Sequence, residues 1–203
     1  MQYATAVQDV ISQIPTAPDF VIASAFNRTT RRFCDATTAF RFKQEDLAPS
    51  GNTVTLSPPV NTAVAAVHLV KWGDKKLDPA TDKFLATIGD SRKTGNPQYH
   101  LWRDGNDIRL FPTPQNDELV TVEVSLRPSI TATEIPDWFA EKYYEILIAG
   151  TCAEMSRTPD TEFYNPELFK VMEAYYAAGV VEAHKEATGA DRSVPRRVRY
   201  GGY

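Results

Sequence analysis

The chain has little cysteine, histidine or glycine, and each scarcity excludes a class of functional site. Two cysteines and three histidines stand far apart along 203 residues, so no set of them has the spacing of a zinc motif. The ten glycines form no GxxxxGKS/T, GxGxxG or GxSxG pattern, so neither a phosphate-binding loop nor a nucleophile elbow is predicted. No pair of carboxylates is singled out as an acid and a base. We therefore expect no catalytic residue, no metal ion, no cofactor and no enzymatic activity.

Long apolar runs and an N-terminal targeting segment are also lacking. No apolar stretch reaches the roughly 18 residues that a membrane-spanning helix needs, so a membrane partner is not expected. The first ten residues, MQYATAVQDV, contain no cationic region, so no signal peptide is expected. Without an exporting signal, Cys34 and Cys152 are predicted to be buried free thiols rather than a disulfide.

The charge is distributed unevenly between the two ends of the chain. The full sequence has 22 basic and 26 acidic residues, but residues 192–203, RSVPRRVRYGGY, contain four arginines and no acid. Residues 1–191 therefore keep 18 of the 22 basic residues against all 26 acidic ones, a net charge of −8. Because nucleic-acid binding needs a basic face, this distribution favours an acidic body with a basic docking arm.

Two helices are predicted at each end of the chain, and one short helix is predicted at residues 79–88 between them. Residues 3–14 and 16–36 are predicted helices, the second with a capping-box start at Thr16 and an apolar face that includes Phe20. Two longer helices follow near the C-terminus, one starting near Pro136 and the other running from the N-cap Asn165 to a C-cap glycine. The short loop between them predicts an antiparallel hairpin. The predicted basic patch of the second helix, read as a solvated face, comprises Arg28, Arg31 and Arg32.

Between these helices the pattern changes to an alternation with period two. The predicted strands cover residues 40–44, 53–57, 64–72, 75–77, 98–102, 107–111 and 119–126. A block of six or so antiparallel strands between helices predicts the α+β class. The predicted regions are N-terminal helices at 1–37, an inserted antiparallel β block at 38–130, a helical hairpin at 131–190 that completes a helical body, and an extended basic tail at 191–203.

Two features of the C-terminal region are candidate binding elements. The tail has no means of folding alone, and it is either a solubilising end or an arm that becomes ordered on a partner. Four tyrosines of the hairpin predict a packed helix interface, within the chain or between subunits. They are Tyr143, Tyr144, Tyr175 and Tyr176.

A series of short segments, in a fixed order over about 180 residues, resembles the head-to-tail adaptor proteins of tailed bacteriophages, the family that includes tail tubular protein A. The segments are Ala17-Pro18-Asp19, Arg31–Cys34, Phe40-Arg41-Phe42, Val70–Pro79, Gly95–Tyr99, Ile108–Pro114, Leu126–Ser129 and Thr133–Trp138. No single segment is specific, and the resemblance depends on their order and spacing.

The resemblance implies a structural role in the neck of the virion. It implies a ring subunit, typically one of twelve, that joins the portal protein to a tail or nozzle protein and is assembled in the host cytoplasm. The helices would surround a channel through which double-stranded DNA passes without sequence-specific binding, and the β block would face the tail. The implied portal-binding residues are Arg192, Val194, Pro195, Arg196, Arg197, Val198, Arg199 and Tyr200, and the four hairpin tyrosines would lie between subunits.

Two other functions are compatible with the residues. Tyr99, Trp102 and Trp72 beside Asp104 and Asp107 would suit a tail-associated glycan-binding or cell-wall-degrading protein. The arginines of residues 192–203 would also permit a DNA-binding module, although the acidic body opposes it.

Overall fold

The computed structural model describes residues 1–87, 93–116 and 118–189. The helices of the described residues are α1 (Tyr3–Gln13), α2 (Asp19–Thr37), α3 (Asp82–Thr87), α4 (Asp137–Ser156) and α5 (Pro166–Thr188). The strands are β1 (Arg41–Leu47), β2 (Thr53–Thr55), β3 (Thr62–Trp72), β4 (Lys75–Lys76), β5 (Asp78–Pro79), β6 (Tyr99–Leu101), β7 (Asp107–Phe111) and β8 (Val120–Pro128). Helices at both ends and strands between them confirm the predicted α+β class.

The strands form two sheets rather than one block. The first has the order β1-β8-β3-β4 and the second β2-β7-β6-β5. The expectation of purely antiparallel pairing was wrong at one place, because Asp78 and Pro79 of β5 pair in parallel with Tyr99 and His100 of β6. A two-residue strand that contains a proline has no alternation for a sequence pattern to detect.

One hydrophobic core connects the helices with both sheets. Phe26 and Phe33 of α2 and Phe139 of α4 belong to the same buried cluster as Val122 of β8 and Ile108 of β7. A second cluster lies under α1, where Val10 contacts the region around Ile22 and Cys152. The N-terminal helices and the C-terminal hairpin therefore pack together although more than 100 residues separate them in sequence.

The start and the buried face of α2 differ from the sequence prediction. The helix begins at Asp19 after Pro18, without a side-chain cap, so the capping box at Thr16 was wrong. The α region is disfavoured for a residue before proline, so Ala17 is a poor first residue for the helix. Phe20 is 76% exposed, whereas Ile22 and Phe26 are fully buried, because two residues turn a helix by more than half a revolution.

The predicted α4–α5 hairpin is confirmed, including its caps. The side chain of Asn165 accepts hydrogen bonds from the backbone N–H groups of Glu167 and Leu168, at 3.2 and 3.0 Å. Pro166 occupies the first helical position, and Gly189 ends the helix with a positive φ of 69°. These local signals position the hairpin because each satisfies backbone groups that a helix end leaves unpaired.

Gly150 allows three helices to approach one another. A Cβ atom at this position of α4 would lie 2.5 Å from Cδ2 of Tyr176 in α5 and 2.7 Å from Cγ2 of Thr29 in α2. Gly179 of α5 likewise allows close approach to α4, since a Cβ atom there would lie 2.7 Å from the side chain of Ile146. The two glycines thus set the distances between α2, α4 and α5.

We expect Gly150→Val to lower the free energy of unfolding by about 3 kcal/mol, because a rigid ring and a branched side chain leave no room for the added atoms. Urea denaturation measures the loss. The matched control is Ala177→Val on the exposed side of α5, which should change the free energy of unfolding by less than about 0.5 kcal/mol. Equal losses in the two variants would contradict the close approach at Gly150.

Candidate functional site

The predicted portal-binding residues lie outside the described residues. This applies to Arg192, Val194, Pro195, Arg196, Arg197, Val198, Arg199 and Tyr200. The described chain ends at Gly189, the C-cap of α5. Glu186, in the last turn of α5, forms an ion pair with Lys142 of α4. The chain therefore leaves the body beside the N-terminal half of α4.

The four hairpin tyrosines separate into two pairs. Tyr143 and Tyr176 are buried within the chain, and both rings pack on Phe33, with centroids 5.0 and 6.5 Å away. Burial raises the pKa of Tyr176 to about 12. Tyr144 and Tyr175 lie closer to the surface, and Tyr175 is 50% exposed. Of the four tyrosines, Tyr144 and Tyr175 are therefore the two that another subunit can reach.

The hydroxyls of the outer pair donate hydrogen bonds to carboxylates. Tyr144 donates to Asp9 of α1, and Tyr175 donates to Glu145 of α4 at 3.2 Å. Burial, followed by the bond to Asp9, raises the pKa of Tyr144, while the bond to Glu145 raises the pKa of Tyr175. These bonds orient the two rings and leave both carboxylates without a cationic partner among the described side chains.

A groove with an acidic rim separates α1 from the α4–α5 hairpin, and we call it the hairpin groove. It consists of two adjoining concavities of about 660 and 510 Å³ that share Asp9, Tyr144, Glu145 and Tyr175. Glu141 and Lys142 lie at one end. The apolar lining is contributed by Ala140, Ile146, Ile148, Ala149, Val171 and Met172.

A second groove lies on the opposite side of α1, and we call it the α1–α2 groove. Its volume is about 800 Å³, and Phe20 and Ile130 stand at its edge, 76% and 78% exposed. Inside it, the amide of Asn27 donates hydrogen bonds to the carbonyl oxygens of Ser129, Ile130 and Ala132, at 3.2, 3.3 and 2.9 Å. These bonds hold the segment after β8 in place and leave the two apolar side chains facing outwards.

The basic patch of α2 is not simply a solvated face. Nε of Arg28 lies 2.6 Å from a carboxylate oxygen of Glu154 in α4, and Arg32 approaches the same carboxylate at 3.8 Å. Arg31 lines the α1–α2 groove. Two of the three arginines therefore connect α2 with α4.

The aromatic residues considered for glycan binding belong largely to the fold. Trp72 is only 3% exposed. Trp102 donates its indole N–H to the carbonyl of Gly105 at 3.1 Å, and Tyr99 packs edge-on against Phe84 at 5.2 Å. Asp107 accepts a hydrogen bond from Thr55 at 2.7 Å. These contacts assign the residues to hairpin packing, so no observation favours a glycan site here.

Nucleophilic and metal-binding groups do not converge in the described part of the chain. Cys34 and Cys152 are free and fully buried, as predicted, and burial raises the pKa of both thiols, that of Cys152 to about 11. A thiol held in this form is a poor nucleophile. Among the described residues, no three His, Cys, Asp or Glu side chains could hold a metal ion, and no helix is long and apolar enough to cross a membrane.

His68 of β3 is half-buried and His100 of β6 is buried, and this makes the stability of the fold depend on pH. Burial lowers the pKa of both His68 and His100. In the unfolded chain these histidines take up protons at the ordinary histidine pKa of about 6.5. In the folded chain they take up protons only at a lower pH. The stability that depends on neutral histidines is therefore complete above that pH and is lost as the pH falls towards the lower folded-state pKa.

We expect the free energy of unfolding to fall between about pH 7.5 and 5.5, and to fall less in a His100→Gln variant. Urea titrations at a series of pH values measure the two slopes. His184→Gln, at an exposed position of α5, is the control and should retain the parent slope. The same slope in His100→Gln as in the parent would show that His100 does not resist protonation.

Comparison with known proteins places the chain in a family. No curated protein matches it. One family model, described as SU10 adaptor protein, matches residues 1–199, which include both the folded body and most of the arginine-rich tail. This match agrees with the order of short segments that resembles phage adaptors. The chain belongs to the SU10 adaptor protein family and is a phage head–tail adaptor.

Proposed function

We propose that this adaptor forms a ring of about twelve copies in the virion neck, between the portal protein of the capsid and a tail or nozzle protein. In this proposal the protein is a structural component and not an enzyme. The match of the adaptor family over residues 1–199 carries the proposal, because it extends through the body and into the tail. The likeness to tail tubular protein A in particular stays a prediction.

The two grooves beside α1 support assembly into a ring. A ring needs two different surfaces on each subunit that fit each other, since identical surfaces produce a closed dimer. The α1–α2 groove exposes Phe20 and Ile130, and the hairpin groove exposes Tyr175 and Val171. Neighbouring exposed apolar side chains in a groove are typical of protein–protein contacts. We therefore propose that Tyr144 and Tyr175 lie at the subunit interface.

The charge distribution supports the proposed passage of DNA. The −8 charge of residues 1–191 repels a phosphate backbone rather than binding it, which a channel for DNA requires. The four arginines of residues 192–203 are then available for a protein partner, and we propose that they dock on the portal protein. Carboxylates of the portal would be their counterparts, because arginine forms paired hydrogen bonds with carboxylates.

The mass of the purified protein, measured with and without a portal protein of the same phage, tests this function. We expect a monomer that becomes a ring of about twelve copies when the portal protein is added. Analytical ultracentrifugation gives the mass and electron microscopy the symmetry. A monomer that ignores the portal protein at every concentration would overturn the proposal, and cleavage of cell-wall polysaccharide would replace it with the enzymatic alternative.

A further inference from the structure

We propose that in the isolated chain the hairpin groove binds the arginine-rich segment 190–203 of the same chain. The inference concerns the protein before assembly. Its consequence for assembly rests on the proposed function, since a tail held in the groove covers Tyr144 and Tyr175 until a portal protein withdraws it. Charge, surface chemistry and the position at which the chain leaves α5 each support this occupant.

The charges of groove and segment are complementary. Asp9, Glu141 and Glu145 line the groove, and none of them has a lysine or arginine partner among the described residues. The segment contains Arg192, Arg196, Arg197 and Arg199, offset by a single carboxylate at Asp191. Arg28 and Arg32 of α2, which lie against α4, already share Glu154. The arginines of the tail therefore complement the unpaired carboxylates of the groove.

The surfaces of groove and segment also match in their apolar parts. The groove exposes an apolar lining that includes Val171, 66% exposed, and the ring of Tyr175. Val194, Val198 and Tyr200 alternate with the arginines of the segment. An extended strand of this composition can bury its apolar side chains while its guanidinium groups reach the rim or stack on the tyrosine rings.

The position at which the chain leaves α5 makes binding within the same chain the favoured arrangement. The Lys142–Glu186 ion pair joins the last turn of α5 to the end of the groove where Glu141 lies. The 14 residues from 190 to 203 reach up to about 48 Å, whereas the α4 side of the groove, from residue 141 to 149, is about 12 Å long. A short tether beside the site gives an effective concentration in the millimolar range, which a second molecule in dilute solution does not reach.

A spin label at the far end of the tail tests the contact in the full chain. Cys34 and Cys152 are fully buried, so a nitroxide added to a Gly202→Cys variant attaches at residue 202 only. We expect paramagnetic broadening of the backbone amide signals of Asp9, Glu145 and Tyr175 in the NMR spectrum. The broadening should be lost in the Glu141→Gln/Glu145→Gln variant and should weaken at high salt, because exposed charges are screened.

The control removes the same amount of charge elsewhere. Asp104→Asn with Glu162→Gln changes two exposed carboxylates outside the groove and should leave the broadening unchanged. Absent broadening, or broadening that survives the loss of Glu141 and Glu145, would overturn the inference. A second sample mixes isotope-labelled chains that carry no nitroxide with spin-labelled chains that carry no isotope. This sample tests whether the tail of a second copy occupies the groove. Broadening in that mixture would assign the groove to the tail of a second copy and overturn binding within one chain.

The experiment separates this inference from the proposed function. It contains no portal protein, so its outcome does not depend on ring formation. A negative result would leave the portal-dependent ring intact, because the tail could still dock on the portal from a free state. Conversely, a protein that never forms a ring could still show the broadening.

Discussion

The Phe33→Ala variant is expected to lose about 4 kcal/mol of its free energy of unfolding, which is the usual cost of truncating a fully buried phenylalanine. Phe33 is completely buried at the centre of the helical body. Its ring centroid lies 6.1 Å from that of Phe139, 5.0 Å from Tyr143 and 6.5 Å from Tyr176. Removing the ring leaves a cavity between three helices, and chemical denaturation monitored by circular dichroism measures the loss.

The control for Phe33→Ala is Phe20→Ala on the same helix. Phe20 is exposed in the isolated chain, so its truncation should change the free energy of unfolding by less than about 0.5 kcal/mol. A large loss in Phe20→Ala would mean that α2 buries the predicted face that includes Phe20, and a small loss in Phe33→Ala would contradict the burial of Phe33. The pair therefore tests the orientation of the helix as well as the core.

The boundaries of the hairpin could be predicted because their signals are local. Asn165, Pro166 and Gly189 act on backbone groups within one turn of themselves, and the structure confirms each of them. The alternation of residues 119–126 likewise marks β8, which pairs with β1 on one side and with β3 on the other. Sequence patterns are sufficient to predict a structural feature where that feature depends only on residues close in sequence.

The partition into two sheets could not be predicted, because it depends on pairings between distant segments. β8 lies between β1 and β3, so the last strand of the described residues occupies the middle of the first sheet. Nothing in the alternation of a strand specifies its partner, only which face is buried. The parallel pairing of β5 with β6 could not be predicted for the same reason, because neither strand's sequence specifies its partner.

The grooves beside α1 were invisible in the sequence for a similar reason. Asp9, Glu145 and Tyr175 come from three helices and are brought together only by packing. The one local signal was the pair Glu141 and Glu145, four residues apart on α4 and away from its apolar stripe. Such a pair is common on solvated helix faces, so it could not be recognised as part of a site.

Deleting residues 190–203 is expected to abolish binding to the portal protein while leaving the body folded. The core of helices and sheets consists of residues before Gly189, so the midpoint of thermal unfolding should stay within a few degrees of the parent. Binding of the truncated chain to immobilised portal protein is then measured by surface plasmon resonance. Unchanged affinity would show that the tail is not the docking arm.

Single substitutions in the tail separate specific docking from general attraction by positive charge. A guanidinium that makes charge-assisted hydrogen bonds contributes about 1.5–3 kcal/mol, so Arg197→Ala and Arg199→Ala should each weaken portal binding roughly 10- to 150-fold. The conservative changes Arg197→Lys and Arg199→Lys keep the charge but lose the planar pair of donors, and they should recover only part of the affinity. Full recovery with lysine would mean that the tail is attracted to the portal by net charge alone. In that case the affinity would also fall steeply with salt, as expected for exposed charges. The tail would then attract the adaptor to the portal protein without determining where on the portal it binds.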